Sequence, residues 1–255
     1  MLKLERQGAL LARLRAERRA SVDELAAGLG VTPSTIRRDL ADLAEGGRVI
    51  RTYGGAALAE PRPELGPVPN AAAKERIAVA AAGLVEDGQT IVIASGTTTL
   101  AFARRLVDRH LTVITNALDV AAVLVDRPRI ELVVLGGVVR PRMHSMLGHL
   151  AELAARELRA DAVFMGIGAI SHDGGLMNDS IPEILTDRAL RRIARTVVIL
   201  ADASKFDQVA PAFVFGLDEV DVLVTDGGAR PEDIAAVEAH GVRVVVADEP
   251  PGDRK

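Results

Sequence analysis

Three short strings carry the side chains best suited to gripping an anion. Thr32-Pro33-Ser34-Thr35-Ile36-Arg37-Arg38 places two guanidinium groups close to three hydroxyls. An arginine fork matches a phosphate or the two acceptors on a guanine edge, and hydroxyls bond either. Ser95-Gly96-Thr97-Thr98-Thr99 follows the apolar run Ile91-Val92-Ile93-Ala94. Gly96 lets backbone approach an anion, and a helix beginning there aims unpaired amides and its positive dipole end at the same place. Asp202-Ala203-Ser204-Lys205-Phe206 follows a further apolar run and offers a cation, Lys205. Each string alone also has a plain structural reading, as a capped helix or a solvated charge, so the elements that carry them decide.

The first string sits in a helical region. Leu4, Leu10, Leu11 and Leu14, with Arg6, Arg13 and Arg15 between them, predict an amphipathic helix over about 3–17. Ser21 and Glu24 form a capping-box signature ahead of Val22, Leu25, Ala26 and Leu29, so a second, short helix follows. The low-bulk run Gly28-Leu29-Gly30-Val31 turns the chain. Thr32 caps a third helix, Pro33 fits its first turn, and Ile36, Leu40 and Leu43 face inward. Ser34, Thr35, Arg37 and Arg38 are left outward, at the end of the helix that would enter a major groove. Arg48-Val49-Ile50-Arg51-Thr52-Tyr53-Gly54-Gly55 reads as a short wing between glycine turns, with Arg48 and Arg51 on it. These elements predict a DNA-binding domain over 1–57. The proline-bearing stretch 58–72, with Pro61, Pro63, Pro67 and Pro69, predicts a stiffened linker.

The other two strings belong to a larger domain over 73–250. A helix near 73–85 leads into strands around 89–94, 111–115, 130–135, 161–165, 196–201, 212–215, 221–225 and 242–246, with helices between most pairs. This alternation predicts an α/β fold with a mainly parallel sheet covered on both faces. Ligands in such sheets lie where strands end. The small or polar ends Ser95–Thr99, Thr115-Asn116, Gly136-Gly137, Gly166-Ile167-Gly168 and Asp202–Phe206 are therefore expected to converge on one rim, Lys205 with them.

Composition agrees. Of 255 residues, 49% are apolar and 2% aromatic, which suits Ala-rich helices on Val- and Ile-rich strands. Net charge is -4, but 1–59 holds ten Lys or Arg against seven Asp or Glu, leaving the remainder at -7. Screening keeps phosphate attraction local, so nucleic acid belongs to the front of the chain. With no cysteine, disulfides and thiolate metal sites are excluded. No export segment is evident, and the longest apolar runs break within about ten residues, short of the roughly 20 a membrane span needs. A cytoplasmic protein without membrane contact is expected.

The string ELAAGLGVTPSTIRRDLADLAEGGRVIRTYGGA resembles the DNA-binding half of DeoR-family regulators. In that family the T-I-R-R-D-L helix enters the groove and the segment ending in G-G-A is the wing. The resemblance continues through D-G-x-T-I, S-G-T-T-T, T-N, G-G, F-M-G, D-x-S-K-F and T-D, in family order, to about residue 246. It implies a winged helix-turn-helix joined to a sensor domain related in fold to ribose-5-phosphate isomerase, binding a phosphorylated sugar. The implied phosphate contacts are Ser95, Gly96, Thr97, Thr98 and Thr99. Thr115, Asn116, Gly136 and Gly137 would line the site, and Lys205 would be a charged contact. Glu183, after Pro182, is similar to an acidic family position. Homo-oligomers assembled through the sensor, with paired heads on operator half-sites, are also implied.

The rival class is a sugar-phosphate isomerase, since D-x-S-K occurs in both. Isomerisation needs a carboxylate to move a proton and a cation to hold the developing oxyanion. Where such isomerases carry D-G-A-D-E, this chain has Met165-Gly166-Ile167-Gly168-Ala169-Ile170, with no carboxylate. DeoR relatives often keep an aspartate near Gly168, so the chain departs from both. A regulator without cofactor or metal is the expectation. His144 and His149 are off a common helical face, and His110, His172 and His240 have no evident partners. His144 follows the Gly136-Gly137 turn with Arg140, Arg142 and Ser145, and is a further candidate ligand contact.

Overall fold

A computed structural model describes residues 3–17, 19–45, 49–52, 54–58, 68–141, 143–171 and 173–247. Arg48, Tyr53, the linker prolines 61, 63 and 67, Arg142 and His172 lie outside the described residues, as does the side chain of Arg51. The chain divides into two compact units between Pro67 and Val68.

In the first unit, α1 (Lys3–Glu17), α2 (Val22–Leu29) and α3 (Pro33–Glu45) surround a core that includes Leu10, Leu11, Leu14, Leu25, Ile36, Leu40 and Leu43. Burying a side chain of this size stabilises by roughly 1.5–3 kcal/mol, enough to order helices too short to persist alone. The capping box forms: Ser21 Oγ accepts from Glu24 N at 3.2 Å, and Glu24 accepts from Ser21 N at 2.8 Å. Gly30, left-handed at φ 64°, ends α2 and donates to Ala26 and Ala27 carbonyls. A short strand absent from the sequence reading, β1 (Arg19–Ser21), pairs with β3 (Gly55–Leu58), which pairs in turn with β2 (Val49–Thr52). The wing is thus the outer part of a three-stranded antiparallel sheet.

In the second unit seven strands lie parallel in the order β15 (Arg243–Ala247), β14 (Val222–Asp226), β12 (Ala194–Leu200), β9 (Ala160–Gly166), β4 (Thr90–Ile93), β5 (Leu111–Thr115), β6 (Ile130–Val134). One face packs on α4 (Ala71–Ala82), α5 (Thr97–Arg104) and α6 (Leu118–Leu124). The other packs on α7 (His149–Arg156), α8 (Ile184–Arg192) and α9 (Pro231–Glu238). Burial on both faces explains why the central strands read as near-continuous Val and Ile.

The strand expected at 212–215 forms, as β13 (Ala212–Gly216), but it leaves the parallel sheet and pairs antiparallel with β11 (Gly175–Asn178), itself paired with β10 (Ala169–Ile170). The connection 201–211 carries only a 3-10 turn, Ala203–Phe206. A parallel neighbour needs a longer crossover, usually a helix. A hairpin that the sequence reading left out, β7 (Val138–Arg140) with β8 (Ser145–Leu147), stands beside the sheet.

Candidate functional site

On the first unit, Thr32 Oγ1 accepts from Thr35 N at 3.3 Å and lies 2.9 Å from the hydroxyls of Ser34 and Thr35. Thr32, Ser34, Arg37 and Arg38 are exposed; Thr35 is half-buried. Neither arginine has an ion pair or hydrogen bond among the described residues. The next residue, Asp39, faces the other way: it is buried and takes two hydrogen bonds from Arg6, which fastens α3 to α1. The turn thus leaves two unoccupied guanidinium groups outside while the aspartate between them and Leu40 fixes the helix that presents them.

On the second unit the chain runs from β4 to β5 and β6 towards one edge, while β9 lies on the other side of β4. The loops after β4 and β9 therefore leave in opposite directions, and the crevice between them is where open α/β sheets bind ligands. A cleft of about 420 Å³ opens there, within the roughly 300–1,000 Å³ of small-molecule sites. Ser95, Gly96, Thr97 and Thr98 line it from the turn into α5, as do Gly166–Gly168 after β9 and Ser204 and Lys205 after β12. Gly96 adopts φ 148°, a conformation side chains disfavour, and its carbonyl takes Leu100 N at 3.0 Å. The amides of Thr97 and Thr98, in the first turn of α5, have no intrahelical acceptor. Among the described residues Lys205 Nζ reaches only Gln208 Oε1, at 3.3 Å.

The structure does not bring Thr99, Thr115, Asn116, Gly136 or Gly137 into this lining. Thr99 is buried, its hydroxyl donating to Gly96 O at 3.0 Å. The Thr115 hydroxyl donates to Ile93 O at 2.7 Å and accepts from Ala117 N at 3.0 Å, tying β5 to β4. Asn116 donates to Met146 O at 3.2 Å. Gly137, at φ 113°, has so close a backbone neighbour that a Cβ would stand 2.7 Å from Leu147 O. These residues hold the framework of the rim. His144 is also outside the lining; its Nδ1 lies 2.8 Å from Asp119. Among the described residues no group of three His, Cys, Asp or Glu could hold a metal ion, and no helix is long and apolar enough to cross a membrane.

The cleft also holds charged residues the sequence reading missed. Lys74, on α4, is buried and donates to Asp202 at 2.7 Å and to Pro69 O at 2.7 Å. Asn70 donates to the other Asp202 oxygen at 2.8 Å. Burial works against the Asp202 carboxylate, but the bonds from Lys74, Ser204 and Asn70 together outweigh it and hold its pKa below the ordinary range. Three carboxyl groups line the cleft even though loop 165–170 carries none: exposed Asp179, buried Asp187, and buried Glu183, the acidic position already named from sequence. Glu183 accepts from Ser145 Oγ at 2.5 Å and pairs with Arg140 at 2.9 Å. Asp187 has no such cation, and burial together with the nearby Glu183 charge pushes its pKa up to about 7.

Both halves match known family models: residues 6–62 the DeoR-like helix-turn-helix domain, and residues 69–227 the DeoR C-terminal sensor domain. The chain belongs to the DeoR family. This DeoR-family chain is a DNA-binding transcriptional regulator and not an isomerase. The repressor CsqR of Escherichia coli K12 is 36% identical over 81% of this chain and 81% of that protein. The repressor AccR of Agrobacterium fabrum is 32% identical over 89% and 90%. The glycerol-3-phosphate regulon repressor of Escherichia coli K12 is 31% identical over 89% and 92%. Among solved structures, ribose 5-phosphate isomerase A from Methanocaldococcus jannaschii superposes with a TM-score of 0.39, at 20% identity, over 52% of this chain and 53% of that one.

Proposed function

We propose that this regulator is a cytoplasmic, homo-oligomeric repressor of a carbohydrate-metabolism operon, and that a phosphorylated sugar in the sensor cleft alters its grip on operator DNA. The observation that carries the reading is the cleft at the sheet's switch point, where the Gly96 turn, the first amides of α5 and Lys205 face one volume. Ser95, Gly96, Thr97 and Thr98 take the phosphate and Lys205 neutralises it; Thr99, Thr115, Asn116, Gly136 and Gly137 hold that rim in place. The glycerol-3-phosphate regulon named in one relative supports a small phosphate ester as effector. On the DNA side Arg37 and Arg38 read base edges or phosphates from α3, Thr32, Ser34 and Thr35 add hydroxyl contacts, and Arg48 and Arg51 belong to the wing. The proposed division is a DNA-binding domain over 1–57, a linker over 58–72 and a sensor over 73–250.

Binding of the upstream DNA by Arg37→Ala and Arg38→Ala, measured by fluorescence anisotropy at fixed salt, tests the docking. A base-reading arginine costs roughly 1–3 kcal/mol on the specific site, while sensor ligand binding stays unchanged. Unchanged DNA affinity in both variants contradicts the assignment.

A further inference from the structure

The phosphate reading leaves the carboxyl group of Asp187, in the lining of the cleft, without a task. Its side chain is more than nine-tenths buried yet lines the cleft. Asn178 Nδ2 donates to its Oδ2 at 2.9 Å, and Asn178 is itself fixed because its Oδ1 accepts from Gly168 N at 2.8 Å. Oδ1 of Asp187 has no hydrogen bond among the described residues. The contrast with Glu183, one turn earlier, is complete: both of its oxygens are engaged, one by Ser145 and one by Arg140. Oδ1 is thus a hydrogen-bonding atom on a largely buried side chain that is presented to the cleft, where a ligand's polar group can reach it.

The chemistry of the group that Oδ1 can bond follows from charge. No cation pairs with Asp187 among the described residues, and no third metal-ligating group joins it and Glu183. Burial and the Glu183 charge favour its neutral form up to about neutral pH. A neutral carboxyl both donates and accepts, and so does an alcohol, whereas an ammonium or a metal ion requires the ionised form.

We propose that Asp187 is a specificity-determining residue, whose free Oδ1 bonds a hydroxyl of the sugar while the Gly96 turn holds its phosphate, and that Asn178 positions it. This rests on the phosphate reading above and adds which residue distinguishes a sugar phosphate from a bare phosphate.

Calorimetric titration of the full chain with inorganic phosphate, glycerol 3-phosphate, ribose 5-phosphate, glucose 6-phosphate, fructose 1-phosphate and glucosamine 6-phosphate provides the test. The wild type is expected to bind its best hydroxylated ester at least tenfold more tightly than inorganic phosphate. Asp187→Ala lowers that ratio tenfold or more and leaves inorganic phosphate within twofold; Asp187→Asn, which keeps the shape and one hydrogen bond, lowers it less. A ratio unchanged in both variants overturns the proposal, because a merely structural Asp187 would shift all the affinities together. A wild-type preference confined to the amino sugar, abolished by Asp187→Asn, also overturns it, in favour of an ionised carboxylate. Should the wild type bind neither phosphate nor any ester, the phosphate reading itself fails.

Discussion

Replacing Lys74 by methionine keeps most of the side chain's bulk and removes its charge, and the structure sets the size of the result. Lys74 and Asp202 are both buried, their side chains 8% and 2% exposed. Removing one partner of a buried pair typically costs about 3–5 kcal/mol because the other is stranded. Asp202 can escape by taking a proton; from an ordinary pKa near 4 this costs about 4 kcal/mol at pH 7, which caps the loss. Hydrogen bonds from Asn70 and Ser204 survive and soften it. The expected destabilisation of the sensor unit is therefore about 3–4 kcal/mol at pH 7. The lowered Asp202 pKa gives the sign for the wild type: its benefit is present above the ordinary carboxylate value and is lost as pH falls towards the lowered folded value. In the variant the stranded carboxylate can take a proton, which near pH 5 costs only about 1–2 kcal/mol, so the deficit shrinks to that size there. Urea unfolding followed by circular dichroism is the assay, since the chain has no tryptophan and one tyrosine. Adding Asp202→Asn removes the stranded charge and should recover about 2 kcal/mol. A loss below about 1 kcal/mol for Lys74→Met, with no coupling to Asp202→Asn, refutes the reasoning.

Asp187 has the opposite linkage. Its pKa is raised in the fold to about 7, so the folded chain holds a proton that the unfolded chain releases. Wild-type stability relative to Asp187→Asn should fall by about 1 kcal/mol per pH unit between about 4 and 7 and level off above; parallel stability curves would contradict this. Gly137→Ala must move the Leu147 backbone and adopt a disfavoured φ, for a cost of about 1–3 kcal/mol read as a lower urea midpoint. An unchanged midpoint would show that β8 yields freely.

The helices were legible wherever burial repeats with a regular period. Leu10, Leu11 and Leu14 announce α1, Ser21 with Glu24 announces α2, and Ile36, Leu40 and Leu43 announce α3. The Val- and Ile-rich runs likewise announce the parallel strands. What escaped depends on partners remote in sequence. Three-residue β1 exists because β3 lies beside it, and β13 turns antiparallel because the preceding connection lacks a crossover helix. At the site, the Gly96 turn was legible because glycine and hydroxyls at a strand-to-helix boundary have a local signature. Lys74 and Asp187 were not: each sits in a helix among other charged residues, indistinguishable in sequence from its solvated neighbours, and becomes a site residue only when Asp202 or Asn178 meets it. The strand ends at Thr115 and Gly137 show the converse, small or polar residues whose groups serve packing between strands.

The most direct test of the whole account is the affinity of the full chain for its upstream DNA, titrated at constant ionic strength with and without the sugar phosphate that most raises its thermal stability. The account predicts that saturating effector changes operator affinity by fivefold or more, that Lys205→Ala blunts this response, and that DNA affinity without effector is the same in that variant. Operator affinity indifferent to every stabilising sugar phosphate would contradict the claim that the cleft controls the DNA-binding head.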